Sequence, residues 1–187
     1  RKINAKSITE VVKKLCIEAN CHLPQDMKRC IGVCYEQEKW PQAKEILERM
    51  IENYQIADEQ DQPICQDTGM AVVFLKIGQD VHFTGGNLYE AVNEGVRRGY
   101  EKGLLRKSVV ADPLNRKNTG DNTPAIIHTE IVPGDKVEIT AAPKGFGSEN
   151  MSKVIMLTPA DGRKGVINAV INAVKTAGSN PCPPMVI

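Results

Sequence analysis

The chain has 187 residues, of which 41% are hydrophobic and 25% charged, so its composition excludes a disordered chain and allows a buried core. The formal net charge of +1 excludes a chain-wide attraction for nucleic acid or for an anionic membrane. No run approaches the roughly 20 apolar residues that span a bilayer, and the polar first residues lack the pattern of a secretory signal. Six cysteines in such a chain predict a cytoplasmic, reducing setting, where thiols are more often buried or metal-bound than paired in disulfides.

The first third of the chain has the patterns of helices. A capping box formed by Ser7 and Glu10 precedes apolar residues at helical spacing. A second helix is expected to begin near Pro24, and a third begins at Trp40 and Pro41, with proline in its first turn. The apolar stripe of the second helix, which we expect to be buried, comprises Met27, Cys30, Ile31 and Cys34.

The pattern changes after a polar linker at residues 58–62. Strands and helices then mix without strict alternation, which indicates an α+β fold. We expect a helical amino-terminal segment over residues 1–60, followed over residues 61–187 by a mixed or antiparallel sheet flanked by helices. The predicted elements of the second part are strands at 71–77, 125–132, 136–142 and 154–157, a helix that begins at Asn87, and a last helix at 165–177.

Four cysteines precede residue 61, and their pattern leaves two interpretations open. Cys30 and Cys34 lie one helical turn apart, which would provide half of a zinc site. Alternatively, Cys16, Cys30 and Cys34 lie on apolar helix stripes and act as small hydrophobic side chains, which is the interpretation that we favour. Cys21 lies beside His22 in the loop between two predicted helices.

Cys65 and Cys182 occur instead at the boundaries between predicted elements. Cys65 lies in the sequence QPICQDTG, before the first buried strand, and Cys182 lies in the sequence NPCPP, just after the last helix. Prolines on both sides of Cys182 restrict φ and remove backbone donors, so its loop holds the thiol in place, as iron–sulfur loops often do. On spacing alone a proline-rich turn explains the pattern equally well, because the two cysteines match no short metal motif.

Two polar loops and one arginine are candidates for anion binding. Residues 115–124 (NRKNTGDNTP) precede a predicted strand, and residues 144–150 (KGFGSEN) follow one. Backbone N–H groups in such loops can bind a carboxylate or a phosphate, although most polar loops are solvated connections. Arg106 is either a fork for a carboxylate or a surface cation. Neither loop has the spacing of a nucleotide-binding motif.

Four motifs occur in the order that is typical of one enzyme family. They are PICQDTG at residues 63–69, NTGDNTP at 118–124, KGFGSEN at 144–150 and PCPP at 181–184. Together they resemble the signature of the class I fumarate hydratases, a family that includes the L-tartrate dehydratases. The short length of the chain resembles the alpha subunit of the two-subunit form, in which a beta subunit carries the carboxy-terminal domain.

The resemblance implies a 4Fe–4S cluster that three cysteines hold, with one iron open as a Lewis acid for the substrate hydroxyl. Carried over by motif, Cys65 and Cys182 are cluster ligands. The third ligand of the family lies downstream of the PCPP loop, and Cys182 is five residues from the end of this sequence. We therefore expect a chain truncated at its carboxyl end, which by itself neither holds an intact cluster nor turns over.

The resemblance also implies the roles of the substrate-binding residues. Asp67 would be catalytic, as a proton-relay group or an orienter beside the substrate hydroxyl. Gln66 and Arg106 would bind the substrate, Arg106 through a carboxylate, and Gly147 would donate its backbone N–H. The implied reaction is the reversible hydration of fumarate to (S)-malate, a step of the tricarboxylic acid cycle, in a homo- or hetero-oligomer.

Two alternatives remain at this point. The same chemistry on L-tartrate would use the same cluster and differ in the substrate hydroxyls. A protein of another class, a non-catalytic metal-binding or redox module, would use the early cysteines instead of Cys65 and Cys182.

Overall fold

The computed structural model describes residues 1–178, without the side chains of residues 148 and 149, and it confirms the α+β class. Cys182 lies outside the described residues. The chain divides into a first compact unit, Arg1–Pro143, and a second unit that begins at Lys144. The domain boundary expected after residue 60 stays a prediction.

The elements follow the predicted order except for the strand expected at 154–157, and two short strands, a short helix and a 3₁₀ turn are added. In chain order they are β1 (Lys2–Asn4), α1 (Ala5–Cys21), α2 (Gln25–Gln37), α3 (Pro41–Gln60), β2 (Met70–Gly78), β3 (His82–Thr84), α4 (Leu88–Lys102), β4 (Ile126–Val132), β5 (Val137–Lys144), α5 (Phe146–Glu149), a 3₁₀ turn (Pro159–Asp161) and α6 (Gly162–Ala177). Within the described part of the chain, no helix has both the length and the apolar character that crossing a membrane requires.

Several local expectations are wrong. Cys21, expected in a loop, is the buried last residue of α1, and residues 58–60, expected in a linker, belong to α3. Helix α1 begins at Ala5, two residues before the predicted capping box, because the Asn4 side chain caps it by accepting a hydrogen bond from the N–H of Lys6 (2.9 Å). Residues 154–157 form no strand and are exposed. Cys30 and Cys34 are exposed on α2, since none of the elements described at residues 1–178 covers that part of its stripe, whereas Cys16 is buried as expected.

The main sheet has the strand order β4-β2-β5, with β2 and β4 parallel from Val72 opposite Ile126 to Gly78 opposite Val132. The turn at residues 133–136 therefore crosses the end of β2, and the N–H of Gly78 donates to the carbonyl of Lys136 (2.7 Å). A Cβ on Gly78 would lie 2.3 Å from a backbone oxygen of that turn, so this position requires glycine. The two short strands β1 and β3 pair in parallel separately.

The core of the first unit lies between the sheet and the helix pair α1 and α4. Alternate residues of β2 point into it, as the period of a half-buried strand requires. Apolar side chains of both helices meet them there. The buried cluster comprises Ala5, Ile8, Val12 and Cys16 of α1, Ala71, Val73, Leu75 and Ile77 of β2, Ala91, Val92, Val96 and Tyr100 of α4, and Leu105.

Two glycines on α4 allow its close approach to α1. A Cβ on Gly95 would lie 2.7 Å from the Cβ of Val12 and 2.8 Å from the carbonyl oxygen of Thr9. A Cβ on Gly99 would lie 2.9 Å from the Cβ of Cys16. The hydroxyl of Thr9 donates across the contact to the carbonyl of Ala91 (2.9 Å). The separation of the two helices therefore depends on glycine at both positions.

This contact predicts opposite effects for the same substitution at two helical glycines. Gly95→Ala should lower the free energy of unfolding by about 1–3 kcal/mol, because the new methyl group overlaps α1. Gly32→Ala on α2 should raise it by about 0.5–1 kcal/mol, because open space surrounds that position and alanine is the better helix former. Urea unfolding of both variants checks the pair. A Gly95→Ala protein as stable as the Gly32→Ala protein would contradict the close packing.

Candidate active site

The segment between α3 and β2 carries Cys65, and its first half is held by the ends of two helices. The N–H of Ile64 donates to the carbonyl of Asn20, near the end of α1 (2.9 Å). The side-chain amide of Asn53 on α3 donates to the carbonyl of Ile64 (2.8 Å). The residue that precedes Cys65 is thus fixed on both backbone groups, which restricts where the thiol can lie.

The second half of the segment is held by α4 and the stretch that follows it. The buried hydroxyl of Tyr100 donates to the carbonyl of Thr68 (2.7 Å), and the hydroxyl of Thr68 donates to the carbonyl of Arg106 (3.1 Å). Burial raises the pKa of the Tyr100 phenol, so the hydroxyl stays protonated and remains a donor. The Cys65 loop, defined as residues 65–69, is therefore fixed at both ends.

Cys65 has the surroundings of a metal ligand rather than of a core thiol. Its side chain is partly exposed, and its sulfur accepts the backbone N–H of Asp67 (N–S 3.4 Å). By contrast, burial raises the pKa of the Cys16 thiol to about 12, which disfavours the thiolate that a metal needs. Cys65 therefore fits a cluster ligand. The described residues contain no group of three or more metal-binding side chains.

Gln66 and Asp67 lie directly beside this sulfur. Gln66 is exposed, and its side-chain oxygen lies 3.4 Å from the Cys65 sulfur. Asp67 is partly buried, and its Oδ1 accepts the N–H of Gly69 (3.2 Å), whose φ of 60° closes a tight turn. The turn fixes the Asp67 carboxylate relative to the loop backbone, so the carboxylate and the sulfur keep a defined arrangement.

The structure brings Arg106 to the same region as the Cys65 loop. Arg106 is exposed, and its carbonyl is bound by Thr68 of the Cys65 loop. Gly147 lies in α5 of the second unit. Cys182 lies outside the described residues. Four of the six expected site residues, Cys65, Gln66, Asp67 and Arg106, thus occupy two adjoining stretches of chain.

The residue that sequence reasoning missed is Asn122. Its side chain is fully buried, and its amide makes hydrogen bonds with both stretches. The amide oxygen accepts the N–H groups of Ser108 (2.8 Å) and Val109 (3.1 Å), and the amide nitrogen donates to the carbonyl of Gly69 (3.0 Å). Its position within the NTGDNTP motif was the one available signal, but an asparagine in a polar loop equally suits an exposed turn.

An ion pair holds the NTGDNTP loop against α4. The Nε of Arg97 donates to Oδ2 of Asp121 (3.0 Å), while the backbone N–H and the hydroxyl of Thr123 donate to Oδ1 (3.0 and 2.8 Å). Burial raises the pKa of the Asp121 carboxyl, but the hydrogen bonds from Thr123 and Arg97 outweigh burial and lower the pKa to about 2. The carboxylate is therefore ionised throughout the neutral range.

Comparisons with known proteins agree on one family. A family model described as fumarate hydratase (Fumerase) matches residues 9–187. The chain is 41% identical to the putative L(+)-tartrate dehydratase subunit alpha of Methanocaldococcus jannaschii, over 96% of this chain and 65% of that protein. It is 28% identical to the L(+)-tartrate dehydratase subunit alpha of Escherichia coli K12, over 96% and 60% of the two chains. It is 31% identical to the anaerobic class I fumarate hydratase of the same organism, over 98% and 34%.

The chain spans only part of these relatives. It covers 60–65% of the length of the two alpha subunits and 34% of the length of the fumarate hydratase.

The bond from Tyr100 to Thr68 predicts a selective loss of stability. Tyr100→Phe should lower the free energy of unfolding by about 1–2 kcal/mol, because it leaves the Thr68 carbonyl without this buried donor. Tyr89→Phe is the matched control, since the Tyr89 ring is half exposed and its hydroxyl lies 3.3 Å from that of Thr129, and it should change the value by less than about 0.5 kcal/mol. Chemical denaturation of both variants measures the difference. Equal effects of the two substitutions would contradict a special role for the buried hydroxyl.

The Asp121 ion pair predicts a pH-dependent contribution to stability. Since the pKa of this carboxyl lies below its ordinary value of 3.8, the ionised form stabilises the fold above pH 4, and the contribution is lost as the pH falls through about 2. Asp121→Asn should therefore cost about 1–2 kcal/mol at pH 6 and progressively less below pH 4. Unfolding free energies of both proteins across this range provide the measurement. If the unfolding free energies of the two proteins differ by the same amount at every pH down to 2, the low pKa of Asp121 would be contradicted.

Proposed function

The chain belongs to the fumarate hydratase (Fumerase) family, and from this premise we propose that it provides the alpha-type part of an iron–sulfur hydro-lyase for a four-carbon dicarboxylate. One observation carries the proposal. The loop with Cys65, Gln66 and Asp67 is hydrogen-bonded through Thr68 to the backbone of Arg106. A thiol ligand, a carboxylate and a guanidinium group thus lie on two stretches of chain that the fold holds together.

A 4Fe–4S cluster is the cofactor that we propose. Cys65 would be one ligand, since its sulfur accepts a backbone N–H and its side chain is partly exposed. Cys182 would be the second, on the grounds of its motif. The third would come from a part of the relatives that this chain does not span, so we propose that the chain alone neither holds the complete cluster nor turns over. When bound, the cluster supplies a Lewis acid that makes the substrate hydroxyl a feasible leaving group.

Three groups of the chain would bind the substrate. The exposed guanidinium of Arg106 offers a planar fork of donors that matches one carboxylate. The exposed amide of Gln66 can accept from or donate to a substrate oxygen beside the sulfur. Gly147 would provide a backbone N–H, on the grounds of its motif. Two of the three groups lie on stretches that the Thr68 hydroxyl joins, which favours the binding of one small molecule by both.

Asp67 would act as a proton-relay group or as an orienter of the substrate hydroxyl. Its Oδ1 is fixed by the N–H of Gly69, and its own N–H points at the Cys65 sulfur. A carboxylate held in this way needs little reorganisation when it accepts or returns a proton. The role requires the ionised carboxylate, so replacement by an amide would keep the shape and remove the proton acceptor.

Fumarate with (S)-malate, in the tricarboxylic acid cycle, is the first candidate substrate pair, and L(+)-tartrate is the second. The names of the M. jannaschii and E. coli alpha subunits favour tartrate, while that of the E. coli class I enzyme favours fumarate. The alpha-subunit names also favour a beta subunit as partner, in a homo- or hetero-oligomer, and we propose a cytoplasmic enzyme. Assays of the assembled enzyme with (S)-malate and with L(+)-tartrate would decide between the substrates.

The proposal predicts that two loop substitutions separate cluster binding from chemistry. In the enzyme assembled with its partner polypeptide and reconstituted anaerobically, Cys65→Ser should lose iron and lower turnover by roughly 100-fold or more. Asp67→Asn should retain iron and lower kcat by about 100-fold or more. Iron analysis and the loss of fumarate absorbance measure the two effects.

Cys30→Ser and Cys34→Ser are the matched controls, because both thiols are exposed on α2. They should change neither iron content nor kcat. Retention of iron by the Cys65→Ser enzyme would contradict the hydro-lyase proposal. Loss of a metal only from the Cys30 and Cys34 variants would favour the non-catalytic metal module.

A further inference from the structure

The Cys65 loop and the stretch after Arg106 share one buried amide, that of Asn122. Two N–H groups, of Ser108 and Val109, point at its oxygen, and its nitrogen points at the carbonyl of Gly69. The Asn122 side chain is fully buried, and its bond to Gly69 is buried, while the bonds from Ser108 and Val109 are partly buried. Each bond is therefore worth more than an exposed one, and each would be costly to leave unmade.

The hydrogen-bonding groups around the Asn122 amide, on Gly69, Ser108 and Val109, require asparagine at this position. A group placed there must accept two N–H bonds on one side and donate one bond on the other, which a planar amide does and a carboxylate or an aliphatic side chain does not. The backbone of Asn122 is left-handed (φ 62°), a conformation in which asparagine is favoured among residues with a side chain. Both the side chain and the backbone of this position thus select the same residue.

Asn122 reaches the proposed catalytic groups through short chains of bonds. On one side its nitrogen binds the carbonyl of Gly69, and the N–H of the same glycine binds Oδ1 of Asp67. On the other side its oxygen binds the N–H of Ser108, two residues after Arg106. A shift of the amide would therefore move the carboxylate relative to the guanidinium.

We infer that Asn122 is a positioning residue, which holds the Cys65 loop and the Arg106 stretch at a fixed separation so that Asp67 and Arg106 act on one substrate. The coupling of the two stretches rests on the hydrogen bonds alone. Its catalytic consequence rests on the proposed function. Because reacting groups must lie within a few tenths of an ångström of their productive geometry, a looser separation lowers turnover even when the substrate still binds.

Asn122→Asp tests the coupling, because the introduced carboxylate keeps both accepted bonds and loses the donated one. Amide protection of the chain, measured by hydrogen exchange, should fall about tenfold at Asp67 and Gly69 and by less than about threefold at Ser108 and Val109. Below about pH 5 the introduced carboxyl group becomes protonated and can donate to Gly69, so the protection factors at Asp67 and Gly69 should recover. Unchanged protection at those two amides, or a loss without recovery, would overturn the coupling.

Asn93→Asp is the matched control. The Asn93 oxygen accepts the N–H of Ala125 from another segment (2.8 Å), and its nitrogen donates to the carbonyl of Tyr89 within α4 (3.0 Å), so this substitution also keeps an accepted bond between segments and removes one donated bond. It should leave protection at Asp67 and Gly69 unchanged.

If the Asn122→Asp protein does not fold, Asn122→Gly suits the left-handed backbone and removes the amide altogether. Protection should then fall at both stretches, and protection that persists at both would overturn the inference.

Steady-state kinetics of the assembled enzyme test the catalytic consequence. Per iron-loaded site, Asn122→Asp should lower kcat by about 10- to 100-fold with little change in KM, because the Arg106 stretch keeps its two bonds. A merely structural role would reduce the number of active sites and leave kcat per site unchanged, which would overturn the positioning role. If the wild-type enzyme turns over no dicarboxylate, the proposed function fails, and the exchange data alone decide the coupling.

Discussion

The close contact between α1 and α4 is the constraint on which the site depends. Gly95 and Gly99 let the backbones approach, and this approach fixes how far apart the two helices lie. The end of α1 presents the carbonyl of Asn20 to the residue before Cys65, and the end of α4 presents the hydroxyl of Tyr100 to Thr68. The conformation of the Cys65 loop thus depends on the separation of α1 and α4, because the ends of both helices hydrogen-bond to its segment.

Elements with a strong period could be predicted from the sequence, and elements that depend on distant partners could not. The helices near Pro24 and Pro41 and the strand at β2 have clear local signals. The strands β1 and β3 are three residues each and exist because they pair with each other across the chain. Cys30 and Cys34 follow an apolar stripe on α2, but a stripe does not reveal whether another element covers it.

The candidate site likewise contains residues that the sequence could predict and one that it could not. Cys65, Gln66, Asp67 and Arg106 could be named from motifs, yet motifs carry no distances, and the bond from Thr68 to Arg106 shows why they lie on adjoining stretches. Asn122 could not be singled out, because amides in polar loops are usually exposed. Its burial results from the tertiary arrangement of three chain segments, which no local pattern contains.

The turn that crosses the end of β2 has a consequence for the order of folding. Two strands joined by a tight turn usually pair with each other as a β-hairpin, which forms faster than a pairing of distant strands. Here β4 and β5 lie on opposite sides of β2, so the turn forms no hairpin of its own. Each strand must find β2, which lies far away along the chain, and such non-local pairing is slow. Both β4 and β5 pair with β2, so the central strand is the template on which this sheet forms.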